Sequence, residues 1–343
     1  MARRVSVTVL LLLIAVLLPT AQTPYADTLD IYWIDVEGGA ATLIVTPEGR
    51  TILMDAGWEA TGDRDARRIQ VALADAHATR VDFFIASHFH PDHAGGVPAL
   101  ARAVPIESFI DHGDSVEQDR DRSREAWAGY LSVARGKRRV VKPGDKLPIT
   151  ELEIMFVASN GEVISTPLEP RGPNSACRDA QVKDDDPFEN GRSVGYLLSL
   201  GAFQMLNLGD LSWNLEHRLG CPENKLGSVD IYQVTHHGGN DAAAPQLVWA
   251  LGPTVAVINN GPRKGGIPFV LDTLRKSPGL EGVWQLHRAL AADARNTEDA
   301  LIANSEEEES CRGHWIKAMV HPDGRSYTVI NGRTGFSRTY VSR

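Results

Sequence analysis

Cysteine is scarce in this chain: Cys177, Cys221 and Cys311 are the only three in 343 residues. Three cysteines cannot staple a small disulfide scaffold. They allow one bridge and leave one thiol over. Cys177–Cys221 is the expected pair, since both flank segments that should converge in space. No cysteine has a histidine beside it in sequence, which argues against a cysteine nucleophile. Positive charge is the minority sign, with 35 Lys and Arg against 44 Asp and Glu and a formal net charge of -9. A protein that grips polyanions through phosphate contacts usually shows a basic face, so a general nucleic-acid binder is disfavoured. There is no fixed-period repeat and no linker long enough to separate domains. With 43% hydrophobic residues, the length suits one large domain or two small ones.

Long apolar runs are absent but for residues 5–18, which follow Met1-Ala2-Arg3-Arg4 and precede Pro19-Thr20-Ala21-Gln22. A basic start, a short apolar stretch and small residues after it read as a secretory signal peptide, assigned to residues 1–22. The run is short for a spanning helix. No cysteine follows it, so lipid attachment there is not expected. The mature protein is then expected in the periplasm or outside the cell, with no transmembrane partner.

What the chain does have is Ser87-His88-Phe89-His90-Pro91-Asp92-His93. Three of its 11 histidines and a carboxylate fall within six residues. The block follows an apolar run, residues 81–86, that reads as a buried strand, and it precedes a helix that runs to about Val104. Imidazole nitrogens are good zinc ligands near neutral pH, and a carboxylate can complete the shell. A sharp loop at a strand end lets these side chains turn back toward one point.

Elsewhere, short strands at residues 30–36, 40–45 and 51–54 open a sheet. Helical spacing covers 63–77, strands follow at 107–111 and within 138–157, and a charged, solvated helix is expected within 115–135. Residues 158–191 form a long polar loop, either a cover for the site or a surface excursion. Strands recur at 193–200, 202–208, 229–234, 254–258 and 282–286, with helices at 211–219, 245–251 and 270–276. A terminal hairpin is expected over 315–331. Two β-rich halves with helices interspersed imply an α+β fold, a four-layer αββα sandwich. The expected organisation is a catalytic domain over 27–290 and a C-terminal extension, 291–343, packed on it.

Two further segments offer ligands. Gly209-Asp210 ends an apolar strand, where Asp210 can bridge two metal ions or cap the helix that follows. Thr235-His236-His237-Gly238-Gly239 also ends a strand. Adjacent side chains on a strand face opposite ways, so one histidine is expected on the metal. His236 is chosen, which leaves His237 behind it or as a proton donor. Asn259 to Gly266 places Asn260, Arg263 and Lys264 on a glycine-rich loop, suited to a phosphate or simply solvated. His287, at the end of the last of these strands, is a candidate for the site's rim.

Together these residues resemble the metallo-β-lactamase superfamily, and in motif style its ComEC-type and phosphorylcholine-esterase branch. The shared blocks are a strand-turn-strand opening like residues 36–57, His-x-His-x-Asp-His-x-Gly-Gly, Gly-Asp and His-His-Gly. The resemblance implies that His88 and His90 hold one zinc, that Asp92, His93 and His236 hold the other, and that Asp210 links them. Manganese or iron are alternatives. It also implies that Asp55 supports the metal loop by hydrogen bonding. The lactamase and glyoxalase branches place another histidine between the first block and the bridging aspartate. Here only His112 lies between, and it either fills that gap, touches substrate or is a plain surface residue. The expected chemistry is hydrolysis by a hydroxide carried on the metal, with Asp92 and His237 orienting it or passing a proton. The acidic balance does not oppose phosphodiester chemistry, because the metals bring positive charge. The expected substrate is a small molecule or cell-envelope phosphoester, with no stable nucleic-acid complex. The alternatives are a lactone, an ester or a β-lactam, or a secreted binding protein that keeps the fold without turnover.

Overall fold

The computed structural model describes residues 27–59, 61–170, 172–307 and 310–343. The apolar run and the signal peptide expected over residues 1–22 lie outside them. Among the described residues, no helix is long and apolar enough to cross a membrane.

In chain order the strands are β1 (Leu29–Trp33), β2 (Thr42–Val45), β3 (Thr51–Met54), β4 (Val81–Ile85), β5 (Ile106–Asp111), β6 (Arg138–Val140), β7 (Glu153–Ser159), β8 (Glu162–Val163) and β9 (Gly195–Leu200). They continue with β10 (Phe203–Asn207), β11 (Ile231–Gln233), β12 (Val255–Ile258), β13 (Gly282–His287), β14 (Ile302–Asn304), β15 (Ile316–Val320), β16 (Ser326–Asn331) and β17 (Ser337–Val341). The helices are α1 (Arg64–Asp75), α2 (Pro91–Ala94), α3 (Val97–Ala103), α4 (Asp121–Ala134), α5 (Trp213–Gly220), α6 (Pro245–Leu251) and α7 (Pro268–Arg275).

One sheet has the order β17-β16-β15-β1-β2-β3-β4-β5-β6 and the other β14-β13-β12-β11-β10-β9-β7-β8. The central strands, among them β1, β2, β3 and β12, are buried on both faces because both faces are covered. Ile31 and Trp33 of β1 join Phe156, Met205 and Trp284 of the other sheet in a core between the sheets. Tyr32 faces the opposite way, into a layer with Ile69, Leu73, Val97 and Leu100 of α1 and α3. On the far side, Leu215, Leu247 and Leu271 of α5, α6 and α7 pack on Leu206, Tyr232 and Ile258. These are four layers, helices outside two sheets. A polar node crosses the inter-sheet core: the Gln233 side-chain oxygen accepts from Trp33 Nε1 at 2.8 Å, Thr42 Oγ1 at 2.9 Å and Asn207 Nδ2 at 2.8 Å.

The halves of the chain do not map cleanly onto the two sheets. Residues beyond 300 supply β14 to one sheet, beside β13, and β15 to β17 to the other, beside β1. The strands β14 and β17 escape a sequence reading because they are short or edge-exposed. The helix expected to be solvated, α4, buries Ala126, Trp127 and Tyr130. Trp127 and Tyr130, three residues apart on one helical face, pack at a tilt on Phe89 with ring centroids 4.3 and 5.1 Å away. That wedge fixes Phe89 against the layer of helices and leaves its neighbours His88 and His90 to the sheet ends.

Strands β3 to β6 run parallel, as do β10 to β14. In open sheets of parallel strands, ligands bind beyond the carboxyl ends. Asp55, the histidine loop, Asp210, His236-His237 and His287 all follow or close such strands.

Candidate metal centre

The loop after β4 is drawn tight by Asp55, whose backbone takes a left-handed φ of 64°. One of its oxygens accepts from the Ser87 amide at 2.8 Å; the other accepts from Ser87 Oγ at 2.7 Å and His93 Nδ1 at 2.8 Å. Asp210 is brought close by Gly209, at φ 58°, where a Cβ would stand 2.8 Å from the Ser87 Cβ. Only a glycine tolerates both that backbone and that contact.

Four ligand atoms converge: Asp92 Oδ2, His93 Nε2, Asp210 Oδ2 and His237 Nε2 all lie within 4.8 Å of one another. His93 Nε2 is 3.3 Å from the Asp92 oxygen, 3.1 Å from the Asp210 oxygen and 3.2 Å from His237 Nε2. His237 Nε2 is 3.2 Å from each of the two carboxylates. All four residues are buried.

Proton accounting gives this group its character. His93 donates from Nδ1 to Asp55, and His237 from Nδ1 to the Asn259 carbonyl at 3.2 Å. Each ring nitrogen turned inward therefore holds a lone pair when the ring is neutral. Four electron-pair donors then face a common point with no proton to share, an arrangement that a divalent cation relieves. Without a cation, burial works against a charged His93, but Asp210, Asp92 and Asp55 outweigh it and hold its pKa well above the usual value. Burial would likewise raise Asp210, yet His237, His93 and His236 hold it well below the ordinary carboxylate range.

A second pair stands beside the four. His88 Nε2 and His90 Nδ1 are 3.0 Å apart. Ser87 gives its only proton to Asp55, so it accepts from His88 Nδ1 at 3.0 Å. His90 donates from Nε2 to Glu117 at 3.3 Å. The facing nitrogens are again two lone pairs. Burial, then His93 and His90, keep the His88 pKa well below its ordinary value. The His88 and His93 rings lie 4.1 Å apart between centroids.

The choice between the adjacent histidines is corrected. His237, not His236, enters the four-donor group. The alternation argument fails because these residues are not on a strand: both take left-handed φ, 48° for His236 and 54° for His237. His236 Nε2 stays 3.9 Å from the Asp210 oxygen and 3.5 Å from Asn190 Nδ2, with its ring partly exposed.

His112 does not fill the missing ligand position and is not a surface residue. It is buried, with Nε2 3.1 Å from Glu189. Arg263 points outward to Glu307 at 2.8 Å and is exposed. Lys264 turns the other way and pairs with Asp92. Asn260 is buried and donates to the Gly261 and His287 carbonyls, tying its loop to β13 rather than lining the group. His287 turns its Nε2 toward Glu37 instead of the four donors.

Besides Glu117, two further glutamates went unnoticed in the sequence. Glu189 accepts from the Phe89 amide, His112, Ser115 Oγ and the Val116 amide. Burial opposes its charge, but these partners, His112 foremost, hold its pKa at about 2. Glu216 accepts from Thr235 Oγ1 at 2.5 Å, Tyr232 at 3.1 Å and the Ala244 amide at 2.7 Å, bracing the turn that carries His237. No local signal marks either one; each lies far along the chain from the loop it holds.

Residues 34–169 match the family model described as the metallo-beta-lactamase superfamily, and the chain carries a domain of that superfamily. A metal-dependent hydrolase of Cupriavidus necator is 26% identical over 196 residues, which are 56% of this chain and 59% of that protein. Recombination protein 2 of Haemophilus influenzae is 25% identical over 66% of this chain and 24% of its own length. The chain thus spans less than two thirds of either relative. A metallo-beta-lactamase fold protein of Bacillus subtilis aligns with 75% of this chain and 95% of its own at 11% identity and a TM-score of 0.46.

Proposed function

We propose that this protein is an exported metal-dependent hydrolase, holding zinc at paired sites and acting on phosphoesters or phosphodiesters. The observation that carries the reading is the convergence of the Asp92, His93, Asp210 and His237 donor atoms within 4.8 Å, with the His88–His90 pair beside them. Divalent cations bound there would lower the pKa of water toward ~7 and offset charge building on the substrate.

The chain's own residues supply the rest. Asp55, Ser87, Glu117 and the Asn259 carbonyl hold each imidazole in one orientation, so no reorganisation is needed during the reaction. Lys264, part-exposed at Asp92, is placed to meet an anionic oxygen of the substrate. His236, on the rim beside Asp210, is placed to deliver a proton to the leaving group. The resemblance to the ComEC-type and phosphorylcholine-esterase branch favours the phosphodiester class. Export is supported by the N-terminal pattern and by the Cys177–Cys221 disulfide, since such bonds persist in oxidising compartments.

The test is a side-by-side assay of a chromogenic phosphodiester, a lactone and a cephalosporin, with elemental analysis of the purified protein. The phosphodiester should turn over, and His90→Ala and Asp210→Ala should abolish turnover. Equal activity in those variants would sink the mechanism. Preferred turnover of the lactone or cephalosporin would move the substrate class to carbon–oxygen or carbon–nitrogen bonds, and full metal loading with no turnover of any would favour a binding protein.

A further inference from the structure

A second convergence of donors lies at the other end of the turn that follows β1. Asp35, Glu37, His287 and Cys311 bring one ligand atom each to within 4.8 Å of one another. They come from three distant places: the β1 turn, the end of β13 and the segment before β15. None belongs to the four-donor group.

Hydrogen bonding leaves part of this cluster unsatisfied. Cys311 Sγ donates to an Asp35 oxygen at 3.3 Å. His287 Nε2 and Glu37 Oε2 are 3.9 Å apart, and neither has a hydrogen-bond partner. Yet His287 is 0% exposed and Glu37 only 8%. His287 spends its Nδ1 proton on the Arg288 carbonyl at 3.1 Å, so its Nε2 presents a lone pair. Glu37 Oε2 presents another. With the ring neutral, two buried acceptors face each other with no proton between them, and leaving such groups unpaired is unfavourable. Glu37 also holds a left-handed φ of 57°, strain of the kind that collects at ligand clamps.

Charge counting points the same way. Arg68 spans the cluster's edge, donating to Asp35 at 3.3 Å, to the other Glu37 oxygen at 2.9 Å and to the Cys311 carbonyl at 2.8 Å. One guanidinium against two carboxylates leaves a buried negative charge. Burial, with Glu37 next, pushes Asp35 up to about 6. Burial and the same two carboxylates push the Cys311 thiol well up, so sulfur keeps its proton until a cation draws it off.

We propose that Asp35, Glu37, His287 and Cys311 bind one divalent cation of the zinc type, at a site separate from the four-donor group. Mixed nitrogen, sulfur and oxygen donors suit zinc, whereas magnesium and calcium take oxygen. On binding, the Cys311 proton leaves to solvent. Two carboxylates, a thiolate, Arg68 and a divalent cation then sum to zero. Tetrahedral zinc places its ligand atoms about 3.3–3.8 Å apart, so the present spacing needs only a small contraction. Four protein ligands leave no open position, which makes the site structural. It ties the segment around Cys311 to the β1 turn, and that turn packs against the histidine loop through Ala40 N and the Asp92 carbonyl at 3.1 Å.

Cobalt(II) substitution of the full chain tests this. The four-donor group and the His88–His90 pair contain no sulfur, and the Cys177–Cys221 disulfide leaves Cys311 the one free thiol. Thiolate-to-cobalt charge-transfer absorption in the near ultraviolet therefore reports this site alone. The wild type should show the band, and Cys311→Ser should lose it together with one metal equivalent per chain. Asp210→Ala should keep the band, which separates this proposal from the catalytic reading. Absence of the band at full cobalt loading, or its survival in Cys311→Ser, overturns the proposal. Should Cys311→Ser fail to fold, thiol labelling of the wild type decides: zinc must block it and a chelator restore it, and labelling indifferent to zinc refutes the site.

Discussion

The two loops that present histidines are built on opposite electrostatic plans. The loop after β4, residues 87–93, is braced by carboxylates paired with proton donors and with histidine. Asp55 takes three donors, Glu117 takes His90, and Glu189 takes two amides, a hydroxyl and His112. The turn after β11 is braced by Glu216, whose partners are two hydroxyls and an amide, all neutral. Both glutamates are fully buried. Glu189 nevertheless sits at about 2, while burial drives Glu216 up to about 7 in spite of its hydrogen bonds. At Glu216, hydrogen bonds from neutral groups do not offset desolvation, whereas at Glu189 a histidine among the donors tips the balance.

The largest effect should come from swapping the roles within the second loop. His237→Ala should lose metal from the four-donor group and lower turnover on the order of 10³-fold, because it removes a donor. His236→Ala should retain its metal and slow turnover about 10²-fold, the scale of a lost proton donor. Metal content measured beside turnover separates the two, and metal loss in His236→Ala instead would restore the sequence-based assignment.

Next is the brace of the first loop. Glu189→Ala leaves the Phe89 and Val116 amides and His112 without an acceptor in the interior. It should cost roughly 3–5 kcal/mol in denaturant unfolding. A loss below 1 kcal/mol would mean that the loop holds itself.

The comparison is sharpest in its pH dependence. Glu189 is held below its ordinary 4.5, so its contribution to stability is present above that value and drains away as pH falls toward 2. Glu216 is held above 4.5, so its contribution is present below that value and is lost as pH rises through about 7. Unfolding midpoints should therefore lose part of their acid-side slope in Glu189→Gln and part of their neutral-side slope in Glu216→Gln. The same change in both variants would contradict the contrast.

The smallest effects lie at the rim. Arg263→Ala removes an exposed ion pair with Glu307, worth about 0–1 kcal/mol, and should leave kcat and KM unchanged. Lys264→Ala should raise KM for an anionic substrate, and an unchanged KM would remove Lys264 from substrate contact.

Much of this was legible along the chain. Residues 87–93 read as a ligand loop because the chemistry is local: an apolar strand, then histidines and an aspartate at short spacing. Asp210 and the His236-His237 turn were found because each ends an apolar strand. The division of labour within that turn was misread because left-handed φ values override strand alternation. Glu117, Glu189 and Glu216 were invisible, since one acid among 44 Asp and Glu residues carries no mark of the loop it will brace. The Asp35–Glu37–His287–Cys311 group was equally hidden, with Asp35 and Cys311 separated by 276 positions in sequence.

The amino-acid order by itself determined the layered α+β architecture and the segments that carry donors, because apolar periodicity and strand-end chemistry are short-range properties. Only the tertiary structure decided which nitrogen of which histidine faces inward and which acids stand behind them. Those depend on partners that parallel strands bring together from far apart in the chain, and on burial that no single segment possesses alone.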